Sequence, residues 1–187
     1  MLIIGFIGCQ NQAEQKIENT HFTMDVLSPE QTGIKFENTL KEKSDINIIE
    51  YLYYYNGGGV SVGDINNDGL EDLYFSANQL PDKLYLNEGN LKFRDISSIA
   101  GIDPSDSWST GVSMQDVNND GYLDIYVCKV GAFNSLNAQN QLYINNGNLT
   151  FTESAKKLGV AFSGFSTQAA FLDYDKDGDL DFYLLNH

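Results

Sequence analysis

Asp64, Asn66, Asp68 and Asp72 occupy positions 1, 3, 5 and 9 of a nine-residue stretch, with Gly69 at position 6. The pattern returns at Asp116, Asn118, Asp120 and Asp124 around Gly121, and again at Asp173, Asp175, Asp177 and Asp181 around Gly178. A loop that curls on itself can turn oxygens from alternate positions toward one centre, add a backbone carbonyl from position 7, and close with a carboxylate at position 9. Position 7 is Leu70, Tyr122 and Asp179, a variety that suits a backbone contribution. Position 6 must turn sharply, and glycine adopts a positive φ without steric cost. Such an all-oxygen donor set suits a hard cation, and Ca2+ is the candidate. One acidic Asp-Gly turn would be ordinary. Three copies at the same spacing, each crowding carboxylates that repel one another, argue for a cation.

The EF-hand shares the first six positions, but it needs a bidentate Glu at position 12 and a helix on each side. Position 12 here is Phe75, Val127 and Leu184, all apolar. The flanks alternate as strands do. Gly59-Val60-Ser61-Val62-Gly63, Gly111-Val112-Ser113-Met114-Gln115 and Ala169-Ala170-Phe171-Leu172 precede the loops. Leu73-Tyr74-Phe75, Ile125-Tyr126-Val127 and Phe182-Tyr183-Leu184 follow them, so each loop is expected to close a hairpin.

Two more strands complete each full unit. Leu84 to Phe93 matches Leu142 to Phe151, with Asn and Gly supplying a turn midway. Ala100-Gly101-Ile102 matches Leu158-Gly159-Val160 and closes the unit. The second copy is longer between strands two and three, at 131–140, where a surface loop tolerates insertion. Four strands in about 50 residues is the size of a β-propeller blade. The predicted fold is therefore all-β, with blades of four antiparallel strands at about 56–107, 108–162 and an incomplete 163–187. Because propellers close with about four to eight blades, the chain reads as the N-terminal piece of something longer.

Ahead of the repeats, Thr32 to Phe36 and Ile48 to Tyr55 read as strands from their β-branched and aromatic content. The apolar run at residues 1–9 ends in Gly8-Cys9 and is too short to span a bilayer. It resembles the end of a bacterial lipoprotein signal, with Cys9 as the lipidation site and residues 10–27 as a tether. No Lys or Arg precedes the run, and a buried first strand is the alternative. Cys128 follows a strand-like run and reads as a small buried apolar residue.

The charge narrows the partners. The net charge is −15, and twelve of the 26 acidic residues lie in the three loops. Such a surface repels phosphate backbones, which argues against nucleic acid.

The motif and its blade context resemble FG-GAP/VCBS repeats, the calcium-binding blades of integrin α-chain propellers. They are similar also to bacterial cartilage acidic protein-like proteins, which often end in an ASPIC/UnbV domain, a segment missing here. The residues that carry this likeness are Tyr55-Asn56-Gly57-Gly58-Gly59-Val60, the three loops, Leu84-Tyr85-Leu86-Asn87 and Trp108-Ser109-Thr110-Gly111, within about residues 28–187. The resemblance implies a seven-bladed propeller with calcium between the first and second strands of its blades.

Two functions are then in view. One is a binding or adhesion module for a protein or glycan ligand, exported to the cell envelope, anchored to the outer membrane through Cys9, or secreted. The other is a part, catalytic or not, of a polysaccharide-processing system. The chain offers little for catalysis. Its histidines are His21 and His187, no nucleophile, zinc or phosphate-loop pattern occurs, and the acidic loop spacing already accounts for paired carboxylates. Trp108 could stack on a sugar, but Phe165 at the matching place in the third unit favours packing.

Overall fold

The computed structural model describes residues 24–105 and 107–187. The expected signal segment, with Cys9, and most of the tether lie outside them. Three stacked sheets follow one another along the chain. The first contains β1 (Val60–Gly63), β2 (Asp72–Phe75), β3 (Lys83–Asn87) and β4 (Phe93–Asp95), antiparallel and paired in chain order. The second repeats it with β5 (Trp108–Gln115), β6 (Asp124–Val130), β7 (Gln141–Asn145) and β8 (Phe151–Glu153). The third is the hairpin of β9 (Ser166–Leu172) and β10 (Asp181–Asn186).

Each full sheet ends in a single helical turn, Ser97–Ala100 and Ala155–Leu158, stopped by Gly101 and Gly159 in the left-handed conformation. These turns stand where the repeat is expected to close.

The sheets pack face against face. Tyr74, Leu84 and Ile96 of the first meet Val112, Ile125, Val127 and Tyr143 of the second in one buried cluster. Tyr126, Cys128 and Leu142 then meet Ala169, with Phe171 and Leu184 packed against them, in the next. Burial pushes the Cys128 thiol up to about 12, so it behaves as a small apolar group. The innermost strands approach closely. A side chain at Gly111 would meet the Thr167 carbonyl and Gln168, so only glycine lets β5 lie against β9 there.

Two strand expectations fail. Pro29–Thr32 is a helical turn with a full capping box, in which the Gln31 N–H donates to Ser28 Oγ and the Ser28 N–H to Gln31 Oε1. Residues 33–36 beyond it are irregular. Ile48 to Tyr55 is a run of turns. The Asn47 side chain accepts the N–H groups of Ile49 and Glu50, and the Tyr51 and Tyr54 N–H groups bond back to Asn47 and Tyr51 carbonyls. The tyrosines are buried three apart, at Tyr51 and Tyr54, rather than at alternate positions. They pack with Ile46, Trp108 and Val130, so Trp108 is a core residue and is only 1% exposed.

Candidate metal centres

All three acidic loops join the first and second strands of their units, and they fold alike. In the first, Asp64 Oδ1 accepts the Asp68 N–H at 3.1 Å and its Oδ2 accepts the Gly69 N–H at 2.7 Å. Asn66 Oδ1 also accepts from Asp68 N at 3.2 Å, and Asp68 Oδ1 accepts from Leu70 N at 2.9 Å. The second loop repeats each contact with Asp116, Asn118, Asp120, Gly121 and Tyr122, at 2.8 to 3.1 Å. In both, the amide of the position-3 Asn donates to the position-5 carboxylate. Position 4 takes a positive φ at Asn67, Asn119 and Lys176, and position 6 does so at Gly69, Gly121 and Gly178. This winding gathers the side chains of positions 1, 3 and 5 on one side of the turn. In the third loop, oxygens of Asp173, Asp175 and Asp177 lie within 4.8 Å of one another.

Position 9 distinguishes the loops. Asp72 and Asp124 are buried, 0% and 1% exposed. One carboxylate oxygen of each closes the loop by accepting the position-2 N–H, of Ile65 or Val117, at 3.0 Å. The other accepts the N–H of Asn87 at 2.7 Å or of Asn145 at 2.8 Å, at the end of the third strand. Asp181 accepts from Tyr174 N at 2.7 Å and is only half-buried, because β9 and β10 form a two-stranded sheet with no third strand beside it.

Asn87 and Asn145 escaped notice as site residues. Their signal was the shared Asn that ends Leu84-Tyr85-Leu86-Asn87 and Leu142-Tyr143-Ile144-Asn145.

The electrostatics fit a cation. Burial pushes the Asp72 carboxyl above its ordinary range. The N–H groups of Asn87 and Ile65 pull it back, and the charges of Asp68 and Asp64 push it further up. Asp124 is raised in the same way, by burial first and then by Asp120 and Asp116. In the third loop the Asp179 N–H, first among several hydrogen bonds, lowers Asp177, while Asp177 raises Asp179. Among the described residues the ion pairs are Lys83–Asp95, Arg94–Glu88 and Lys129–Asp82, and none reaches a loop acid. Buried carboxylates thus face further carboxylates with no basic side chain to balance them. A divalent ion held by oxygens is the group that this set accommodates.

A pH dependence follows. Asp72 and Asp124 have folded-state values raised above the unfolded value of about 3.9. In chelator their burial therefore costs stability at neutral pH. That cost shrinks as pH falls through the raised values and is gone below the unfolded one. A cation held by these carboxylates would stabilise the opposite, ionised form. Midpoints measured with calcium and with chelator are expected to converge as pH is lowered from 7 toward 4. A gap that stayed constant would show that these carboxylates do not hold the ion.

Stacked four-stranded antiparallel sheets, with an acidic turn between the first and second strands, define a β-propeller of the repeat type. The model of the FG-GAP-like repeat matches residues 64–127 and 130–184, and the chain belongs to that family. It is 30% identical over 136 residues to cartilage acidic protein 1 of Mus musculus, which covers 71% of this chain and 20% of that protein. Cartilage acidic protein 1 of Xenopus tropicalis is 29% identical over the same length and coverage. Integrin alpha-8 of Gallus gallus is 28% identical over 151 residues, covering 72% of this chain and 14% of the integrin. The chain thus spans about a fifth or less of each relative. No helix of the described residues is long and apolar enough to cross a membrane.

Proposed function

We propose that the chain is a calcium-stabilised propeller segment of an exported binding or adhesion protein. The observation that supports it is the identical winding of the first two loops around buried, unbalanced Asp72 and Asp124, with a third acidic cluster at Asp173, Asp175 and Asp177. The ligands would be the side chains of Asp64, Asn66, Asp68 and Asp72, of Asp116, Asn118, Asp120 and Asp124, and of Asp173, Asp175, Asp177 and Asp181. Carbonyls of Leu70, Tyr122 and Asp179 would complete the sets. The ion's part is to neutralise the loop and hold it rigid.

A protein or glycan partner would then meet a surface away from the loops. At the opposite end of the inner strands a cavity of about 240 Å³ presents Tyr53, Asn56, Thr110 and Thr167, with the buried Tyr51 and Trp108 as its floor. Its aromatic, amide and hydroxyl groups are the chemistry with which peptide backbones and sugars are bound. The integrin likeness supports an adhesive role and a place at the cell envelope or outside the cell.

Calcium calorimetry on the chain tests the metal: uptake of about three ions, lost loop by loop on Asp64→Ala, Asp116→Ala and Asp173→Ala, is expected. Absence of uptake would remove the reading. Protein and glycan arrays then test the module, with binding unaccompanied by turnover expected and calcium-dependent polysaccharide cleavage as the opposing result.

A further inference from the structure

We propose that the first two loops bind calcium cooperatively, and that Asn145 and Asn67 carry the coupling. This rests on the calcium reading of the loops. Asn145 ends β7, is 4% exposed, and uses its backbone N–H and every group of its side-chain amide. Its N–H donates to Asp124 Oδ1 at 2.8 Å, in the second loop. Its side-chain amide donates to the Leu123 carbonyl of that loop at 3.1 Å and to the Ile65 carbonyl of the first loop at 2.8 Å. Its Oδ1 accepts the Gly147 N–H at 2.9 Å. The Ile65 N–H is in turn held by Asp72 Oδ2 at 3.0 Å. A continuous chain of hydrogen bonds therefore runs from the position-9 carboxylate of one loop, through the Ile65 backbone and Asn145, to the position-9 carboxylate of the next.

A second contact lies on the exposed side. Asn67, at φ 60, donates its amide to the Gly121 carbonyl at 2.9 Å, and the Gly121 N–H is held by Asp116 Oδ2 at 2.8 Å. Asn87 provides the contrast. It stands where Asn145 stands, but its N–H reaches Asp72 and its amide the Glu71 carbonyl, both within the first loop.

A cation in the second loop fixes Gly121, Leu123 and Asp124, the groups that grip Asn67 and Asn145. The first loop then has less freedom left to lose when its own ion arrives, which is positive coupling without a change of shape. The effect is reciprocal, so either loop can be loaded first.

The test is calcium calorimetry on the whole chain with the third loop disabled by Asp173→Ala and Asp177→Ala. The overall binding constant of the two remaining loops is compared with the product of the constants when each is alone, the other being disabled by Asp64→Ala or Asp116→Ala. An excess of about five-fold or more is expected. Asn145→Ala and Asn67→Gly each reduce that excess, while Asn87→Ala weakens the first loop and leaves the excess in place. Asn67→Gly keeps the positive φ and alters an exposed side chain, so the fold is preserved even where Asn145→Ala harms it. Amide exchange gives a second readout. In Asp68→Ala, calcium entering the second loop slows exchange at Ile65 to Asn67. Constants that simply multiply would overturn the coupling and leave the calcium reading standing. An excess unmoved by Asn145→Ala and Asn67→Gly would overturn the assignment of its carriers. No calcium uptake at all would remove both.

Discussion

Calcium at 5 mM is expected to raise the unfolding midpoint of this chain by roughly 14–28 °C over chelator. A ligand that binds the folded chain and not the unfolded one stabilises it by mass action. Extracellular calcium modules bind with constants as tight as about 10⁻⁴ M, and a site of that strength at this concentration contributes about 2.3 kcal/mol. Three sites add about 7 kcal/mol, and each kcal/mol moves the midpoint of a domain this size by about 2–4 °C. The physical source is local: burial first, and then the neighbouring carboxylates, disfavour the ionised forms of Asp72 and Asp124 until a cation offsets them. Asp72→Asn is expected to remove about one site's share of the shift, roughly 5–9 °C by the same conversion. Magnesium should substitute poorly, because it demands a regular octahedron and gives up water reluctantly. Differential scanning calorimetry or fluorescence checks each value, and an unchanged midpoint would count against the metal altogether.

The second large effect concerns the joint between the first two sheets. Lys129 and Asp82 are 3% and 4% exposed, with Nζ 3.6 Å from Oδ2. The Ser109 hydroxyl bridges them, accepting from Lys129 Nζ at 2.9 Å and donating to Asp82 Oδ2 at 3.0 Å. Tyr74 OH and the Ala77 N–H also donate to Asp82. The following joint has the same arrangement without charge. Asn140 donates to Ser166 Oγ at 2.9 Å, and Ser166 Oγ donates to Asn186 Oδ1 at 2.9 Å. Even the tyrosine reverses its role: Tyr74 OH donates to the carboxylate, whereas Tyr126 OH accepts from the Asn140 amide.

Lys129→Ala leaves a buried carboxylate without its counter-charge and is expected to cost about 3–5 kcal/mol, or roughly 6–20 °C in midpoint. The double substitution Asp82→Asn with Lys129→Asn copies the neutral joint and should recover most of that loss, since a neutral replacement of a buried pair is often harmless. Thermal unfolding of Lys129→Ala and of the double variant decides it. A Lys129→Ala midpoint equal to that of the parent would show that the pair is not needed to hold the sheets together.

How much of this could be read beforehand depends on how local each feature is. The winding of each acidic loop involves contacts two to seven residues apart, so residue type and spacing already specified it. Position 6 needed glycine, positions 1, 3 and 5 needed short oxygen-bearing side chains, and the flanks alternated as strands. Repetition made the four-stranded unit legible for the same reason, since β1 to β4 and β5 to β8 pair in chain order through short connections.

The misreadings lie where distant residues decide. Ile48 to Tyr55 has the composition of a strand, yet it turns, because Asn47 captures its first N–H groups and Tyr51 and Tyr54 are drawn into a core with Trp108 and Val130. No local pattern announces that Trp108 will be there. The role of Asn145 is of the same kind: its amide meets Ile65, 80 residues earlier, only because one sheet stacks on another. The sequence by itself determined the loops, the hairpins and the all-β repeat, because those rest on short-range backbone chemistry. Only the stacking of sheets decided that Asp72 and Asp124 are buried and that one loop is tied to the next, because burial and cross-sheet hydrogen bonds exist only once distant segments share a core.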